Sequence, residues 1–270
     1  MQKKKPNWWF NSDCSKESRS SFMRAFWALW RKELAAYFLS PIAYVVVMFF
    51  LILMGISVSF LIDMLAGGTY SGTIMRVLFG ESIFFWVGML IAVPVITMRL
   101  LSEEIRSGTM EGLLTAPIRD CTVVLAKYFG ALTFFVIMWL PTLAYAFIIR
   151  HFDPNMSVDL GPMFTGFLGA LLVGSSFLAL GLLASALTRN QVVAAIITFA
   201  LTGVFFFSGF LPYVTISPAV RNTAAYFSPI LHMMDFSRGV IDTRPLVLYV
   251  SITALLLFVA VRVVESGKWK

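Results

Sequence analysis

The residues with the most chemistry in this chain stand together in one short polar stretch. Ser102, Glu103, Glu104, Ile105, Arg106, Ser107, Gly108, Thr109, Met110, Glu111, Gly112, Leu113, Leu114, Thr115, Ala116 and Pro117 follow one another. Three carboxylates and a guanidinium interrupt a chain that is 59% hydrophobic and only 13% charged. The chemistry this offers is ionic contact with a polar partner. Met110, Leu113, Leu114 and Pro117 fall at i, i+3, i+4 and i+7, one face of a helix. Thr109, Glu111, Gly112 and Thr115 lie off that face. Gly108 can break a preceding helix, and Pro117 tends to end the one it closes. The pattern predicts a short amphipathic helix hung between two apolar segments, the alternative being an ordinary solvated loop.

Catalytic patterns are missing from the rest of the chain. The sequence contains no G-x-x-x-x-G-K-[ST], so ATP hydrolysis by a P-loop is not expected of it. It contains no H-E-x-x-H and no G-x-S-x-G. His151 and His232 are isolated and read as structural, with no metal site expected. Cys14 and Cys121 are the two cysteines. Both fall in segments assigned to a reducing compartment and read as structural thiols without a disulfide. Ion-coupled transporters carry ionisable groups in mid-span. Here Asp63, Glu81, Lys127 and Arg262 fall near expected span ends, where snorkelling to the interface accounts for them. Asp235 and Arg238, three apart, either pair with each other or mark a polar point on a path.

Glu-Glu-x-Arg-Ser-Gly-Thr-x-Glu-x-Leu-Leu-Thr-Ala-Pro at 103–117 resembles the signature of permease subunits of type-2 ABC exporters, and most nearly the gliding-motility-associated branch. The resemblance extends over about residues 22–265. It implies that 103–117 is a coupling helix that docks on a separate P-loop ATPase. Glu103, Glu104, Arg106, Gly108, Thr109, Met110, Glu111, Leu113, Leu114 and Pro117 would be its coupling residues. ATP and Mg would be bound by that partner, with no cofactor in this chain. The resemblance further implies a second permease subunit, as a homo- or heterodimer, with the path lined by spans two and five. Phe205, Phe206, Phe207 and Phe210 would form an apolar gate there, or be lipid-facing or core aromatics.

The elements that hold these residues must be membrane spans. The 270 residues have a mean hydropathy of +0.84, and long apolar segments recur. Lipid leaves backbone groups unsatisfied, which restricts spans to helices or a closed barrel, and continuous apolar runs favour helices. The expected fold is an all-α integral membrane protein of six spans, at about 41–62, 82–101, 121–149, 162–187, 191–211 and 246–264. Ser40 and Pro41 supply the start of span one, and Asp120 that of span three. Pro94 is expected to kink span two, and span three carries Pro141. Gly166, Gly169, Gly174 and Gly181 give span four faces that permit close helix approach. Residues 1–21 read as a disordered basic tail with no apolar leader, and 266–270 as a second tail. Residues 22–38 read as an amphipathic helix at the interface, the elbow helix of the resembled family. Phe22, Phe26, Leu29, Trp30 and Tyr37 line one face at headgroup level. Between spans five and six, Ser217–Pro218 and Ser228–Pro229 each begin a short half-helix, about 218–226 and 229–241. This region, with Pro218, Pro229, Asp235 and Arg238, is expected to re-enter the outer leaflet.

Charge gives the orientation. Of 21 Lys and Arg residues, Arg76, Arg150, Arg221, Arg238 and Arg244 fall outside on this topology, and the other sixteen inside. That bias obeys the positive-inside rule with both termini cytoplasmic. The net charge of +7 is concentrated before span one, which favours anionic lipid over nucleic acid as a partner. The resemblance implies the bacterial cytoplasmic (inner) membrane. A six-span transporter or assembly scaffold that works without an ATPase is the alternative function, and a membrane enzyme a weaker one.

Overall fold

The computed structural model describes residues 12–67, 76–108, 120–145 and 159–266. All regular structure among them is helical. Six helices are long and apolar enough to cross a membrane: Pro41–Met64, Ile83–Ser107, Asp120–Tyr145, Leu160–Leu187, Gln191–Ser208 and Thr243–Ser266. They match the six expected spans, numbered here in chain order.

The elbow helix precedes them and runs Ser12–Phe38. It starts ten residues before the expected boundary near 22, so 12–21 is helical where a disordered tail was expected. That segment lacks Gly and Pro, the residues least compatible with a helix interior. The aromatic face of this helix packs along span three. Phe26 meets Phe129 edge-on, and Tyr37 stacks on Phe134 with ring centroids 4.8 Å apart. The Trp30 indole N–H donates to Thr133 Oγ1 at 3.2 Å.

Span four is the centre of the bundle, in contact with spans two, three, five and six. Its glycines allow this. A Cβ at Gly166 would meet the Phe79 ring, one at Gly169 the Phe236 ring, one at Gly174 the Phe135 ring and one at Gly181 the Thr97 side chain. Phe79 arrives on a single π-helical turn, Arg76–Glu81, just before span two. It stacks on Trp139 at 5.7 Å. The helix of span two ends at Thr97, one turn after Pro94, and resumes over Ser102–Ser107. The helix of span three runs from Asp120 to Trp139, just before Pro141.

Both half-helices form, as Pro218–Phe227 and Pro229–Ser237. The second ends four residues before the expected 241, since Gly239 takes a left-handed φ of 86°. Ser228 starts it: its hydroxyl accepts from Leu231 N–H at 3.3 Å and donates to the Gly209 carbonyl at 3.0 Å. This helix packs on span four, whereas Pro218–Phe227 buries no residue. His232 Nδ1 and the Tyr249 hydroxyl share a buried hydrogen bond at 3.1 Å, a structural role.

Overpacking the centre tests this arrangement. Gly181→Val places a branched side chain against Thr97 and is expected to destabilise the fold by about 1–3 kcal/mol. Gly161→Ala, where a Cβ meets nothing within 4 Å, is the control. Thermal unfolding of the purified chain in detergent should show a lower midpoint for the first variant alone.

Candidate functional site

The helix Ser102–Ser107 opens the signature stretch, and its position is fixed from span four. Its first donors are satisfied by a distant hydroxyl: Leu101 N–H and Ser102 N–H each donate to Ser185 Oγ at 3.0 Å. Ser185 donates in turn to the Met98 carbonyl at 3.3 Å, and the Ser102 hydroxyl donates to the same carbonyl. Helix starts need such acceptors because their leading N–H groups have no intrahelical partner. The helix stops at Gly108, whose φ of 72° is left-handed. Thr109, Met110, Glu111, Leu113, Leu114 and Pro117 lie outside the described residues.

Glu103 and Arg106 are exposed, whereas Glu104 turns inward. There it meets Lys127 of span three, which is buried, its side chain 5% exposed. Lys127 Nζ lies 2.7 Å from Glu33 Oε1 of the elbow helix and 3.0 Å from Glu104 Oε1. Lys127 is therefore not a snorkelling residue at a span end. It sits two turns into its helix, and its ammonium is held by two carboxylates from other segments. Gly130, one turn further, makes the approach possible, since a Cβ there would fall 2.9 Å from Glu33 Cβ. The second carboxylate oxygen of Glu104, Oε2, is buried without a hydrogen-bond partner among the described residues.

Arg99, at the end of span two, reaches back to the turn before span one. It donates to Ser40 Oγ at 3.0 Å and to the Ala36 carbonyl at 3.4 Å. Its guanidinium also stands 5.7 Å from the Tyr37 ring centroid. Burial, with Glu33 beside it, pushes the Tyr37 phenol well above its ordinary range. It stays protonated and donates to the Ile96 carbonyl at 2.8 Å. Lys32, Glu33, Arg99, Glu103, Glu104 and Lys127 line a cavity of about 480 Å³ between the elbow helix and the end of span two. Sequence reasoning had singled out neither Glu33 nor Ser185, and it misjudged Lys127.

Of the four phenylalanines expected as a gate, Phe206, Phe207 and Phe210 stand together, with ring centroids 5.3 to 6.4 Å apart. Phe206 is buried against Trp86, with ring centroids 5.2 Å apart, and Phe210 lies 5.3 Å from Phe206. Phe205 turns instead to Phe177 of span four, and Phe207 is 67% exposed. Successive helical residues point about 100° apart, so three in a row cannot share one face. Trp86, Phe206, Phe210, Tyr213, Ile230 and Met234 surround a second, apolar cavity of about 440 Å³. Asp235 and Arg238 form no ion pair. Arg238 caps the end of its helix, and its backbone N–H, not its guanidinium, meets the Asp235 carbonyl at 3.1 Å.

Removing Lys127 strands two buried carboxylates. Lys127→Ala is expected to cost about 3–5 kcal/mol, the usual penalty for breaking a buried ion pair. Replacing all three charges together, with Glu33→Gln, Lys127→Met and Glu104→Gln, should recover most of that loss. Thermal midpoints of the two variants provide the check: equal losses would mean that the pairing energy is negligible.

The geometry is thus a six-span helical bundle with an elbow helix, a glycine-terminated polar helix at the end of span two and two half-helices before span six. The model of the ABC-2 type transporter family matches residues 24–241, from within the first helix through the second half-helix. No curated protein matches the chain. The match covers well over half of the sequence, and the chain belongs to the ABC-2 type transporter family, as the membrane-spanning permease subunit of an ABC transporter.

Proposed function

We propose that this permease subunit works as an exporter in the bacterial inner membrane, with both termini cytoplasmic, driven by a separate P-loop ATPase that docks on 103–117. Two permease subunits would enclose the path, with spans two and five facing it. The ATPase would bind ATP and Mg. Within the family, the Glu-Glu-x-Arg-Ser-Gly-Thr pattern favours the gliding-motility-associated branch.

One observation carries this reading. Buried Lys127 joins the first turn of the signature segment to both the elbow helix and span three. A push on 103–117 would therefore be delivered to two elements at once. Ser185 adds span four, through its hydrogen bonds to Leu101 and Ser102. The polar contacts left for an ATPase are then Glu103, Arg106 and Glu111, with Met110, Leu113 and Leu114 as the docking face. Glu104 holds the segment from behind. The apolar cavity at Trp86 and Phe206 lies between spans two and five, where the path would run.

Co-purification from native membranes tests the docking. The tagged wild-type chain, in mild detergent, is expected to bring a P-loop ATPase with it. A variant carrying Glu103→Lys and Glu111→Lys should insert normally and lose that partner. If cross-linked wild type retains no ATPase, the exporter reading fails and the ATPase-independent one takes its place.

A further inference from the structure

We propose that the cavity between the elbow helix and the end of span two binds a phospholipid headgroup that carries a primary ammonium, of the phosphoethanolamine type. The site shares one residue, Glu103, with the proposed ATPase face, and it is tested on the chain alone, so its failure and the failure of ATPase docking are distinguishable.

The lining has the charges of such a group in mirror image. Three cations, Lys32, Arg99 and Lys127, face three carboxylates, Glu33, Glu103 and Glu104. Lys127 is committed to Glu33 and to one oxygen of Glu104. That leaves Arg99 and Lys32 for an anion, with Glu103 for a cation. A guanidinium suits a phosphate, and Arg99 is fixed for it by Ser40, Ala36 and the Tyr37 ring. A primary ammonium donates N–H bonds to the exposed Glu103 carboxylate on the cavity lining. A quaternary ammonium has no N–H to give.

Two further features point to a lipid rather than to a soluble molecule. The cavity opens at the turn where the elbow helix gives way to span one: Leu39, on its rim, is 83% exposed. That is the level at which the chain enters the apolar layer. The polar cavity also continues into an apolar one. Tyr37 and Arg99 line both it and a crevice along spans one to three, walled by Ile42, Val46, Val95 and Phe134. The crevice holds only about 10 Å³, so an acyl chain would lie along it, not inside it. A headgroup seated on Arg99 places its chains at the mouth of this crevice.

Native mass spectrometry of the full-length chain, purified and then equilibrated with equal amounts of phosphatidylethanolamine and phosphatidylcholine, reads the site directly. Wild type is expected to retain phosphatidylethanolamine roughly tenfold over phosphatidylcholine, the ordinary worth of one charge-assisted hydrogen bond. Arg99→Gln should lower retention of both lipids. Glu103→Gln, exposed and outside the ion pairs, should bring the ratio near one without disturbing Lys127. Soluble glycerophosphoethanolamine, at the same concentration as the lipid, should not displace it. Displacement would make the ligand a free phosphoamine and overturn the lipid assignment. A ratio of one in wild type, as expected if a partner's side chain fills the cavity, would overturn the proposal. So would a ratio unchanged in Glu103→Gln.

Discussion

A lysine ammonium cannot be left alone out of water. Its desolvation costs several kcal/mol even after the protein relaxes, and only close, well-directed counter-charges offset it. Lys127 imposes that condition on this permease. Its two carboxylates come from the elbow helix and from the segment after span two. Both must therefore sit where span three brings the ammonium. Apolar packing in lipid is nearly indifferent to sliding and rotation, because lipid tails are as apolar as the side chains they replace. An ion triad is not indifferent, and it sets the register of three elements at the point where the signature segment begins.

The remaining packing conforms to that point. Span four is narrow along the faces that meet Phe79, Phe135, Phe236 and Thr97, so its neighbours approach closely and bury large aromatics instead of small ones. Through Ser185 it also holds the turn that leads into Ser102–Ser107. The first turn of the signature segment, Ser102–Ser107, is thus fixed twice, by charge from span three and by hydrogen bonds from span four. Its exposed residues, Glu103 and Arg106, are free of both restraints. A segment held from behind and open in front can transmit force without itself deforming.

Much of the fold was legible in the sequence because its causes are local. Span lengths follow from apolar runs, the half-helices from Ser-Pro pairs, and the break at Gly108 from a glycine able to take positive φ. Span four's glycines announced close contact, though not with which rings. The triad was hidden because its members lie far apart in the chain, and a lysine near a predicted span end carries no local sign that two carboxylates await it. Ser185 was hidden for the same reason, as one serine among several in a small-residue helix. The elbow helix showed an apolar stripe but not its cover, which is span three.

The central claim is that Lys127 locks the elbow helix to the signature segment. Spin labels at Ala28→Cys and Arg106→Cys, both exposed positions, would report this by pulsed electron resonance. The chain would be in lipid nanodiscs, with Cys14→Ser and Cys121→Ser. A locked pair gives one narrow distance distribution, and adding Lys127→Ala broadens it. A broad distribution with Lys127 in place, or a narrow one that Lys127→Ala leaves unchanged, would contradict the claim.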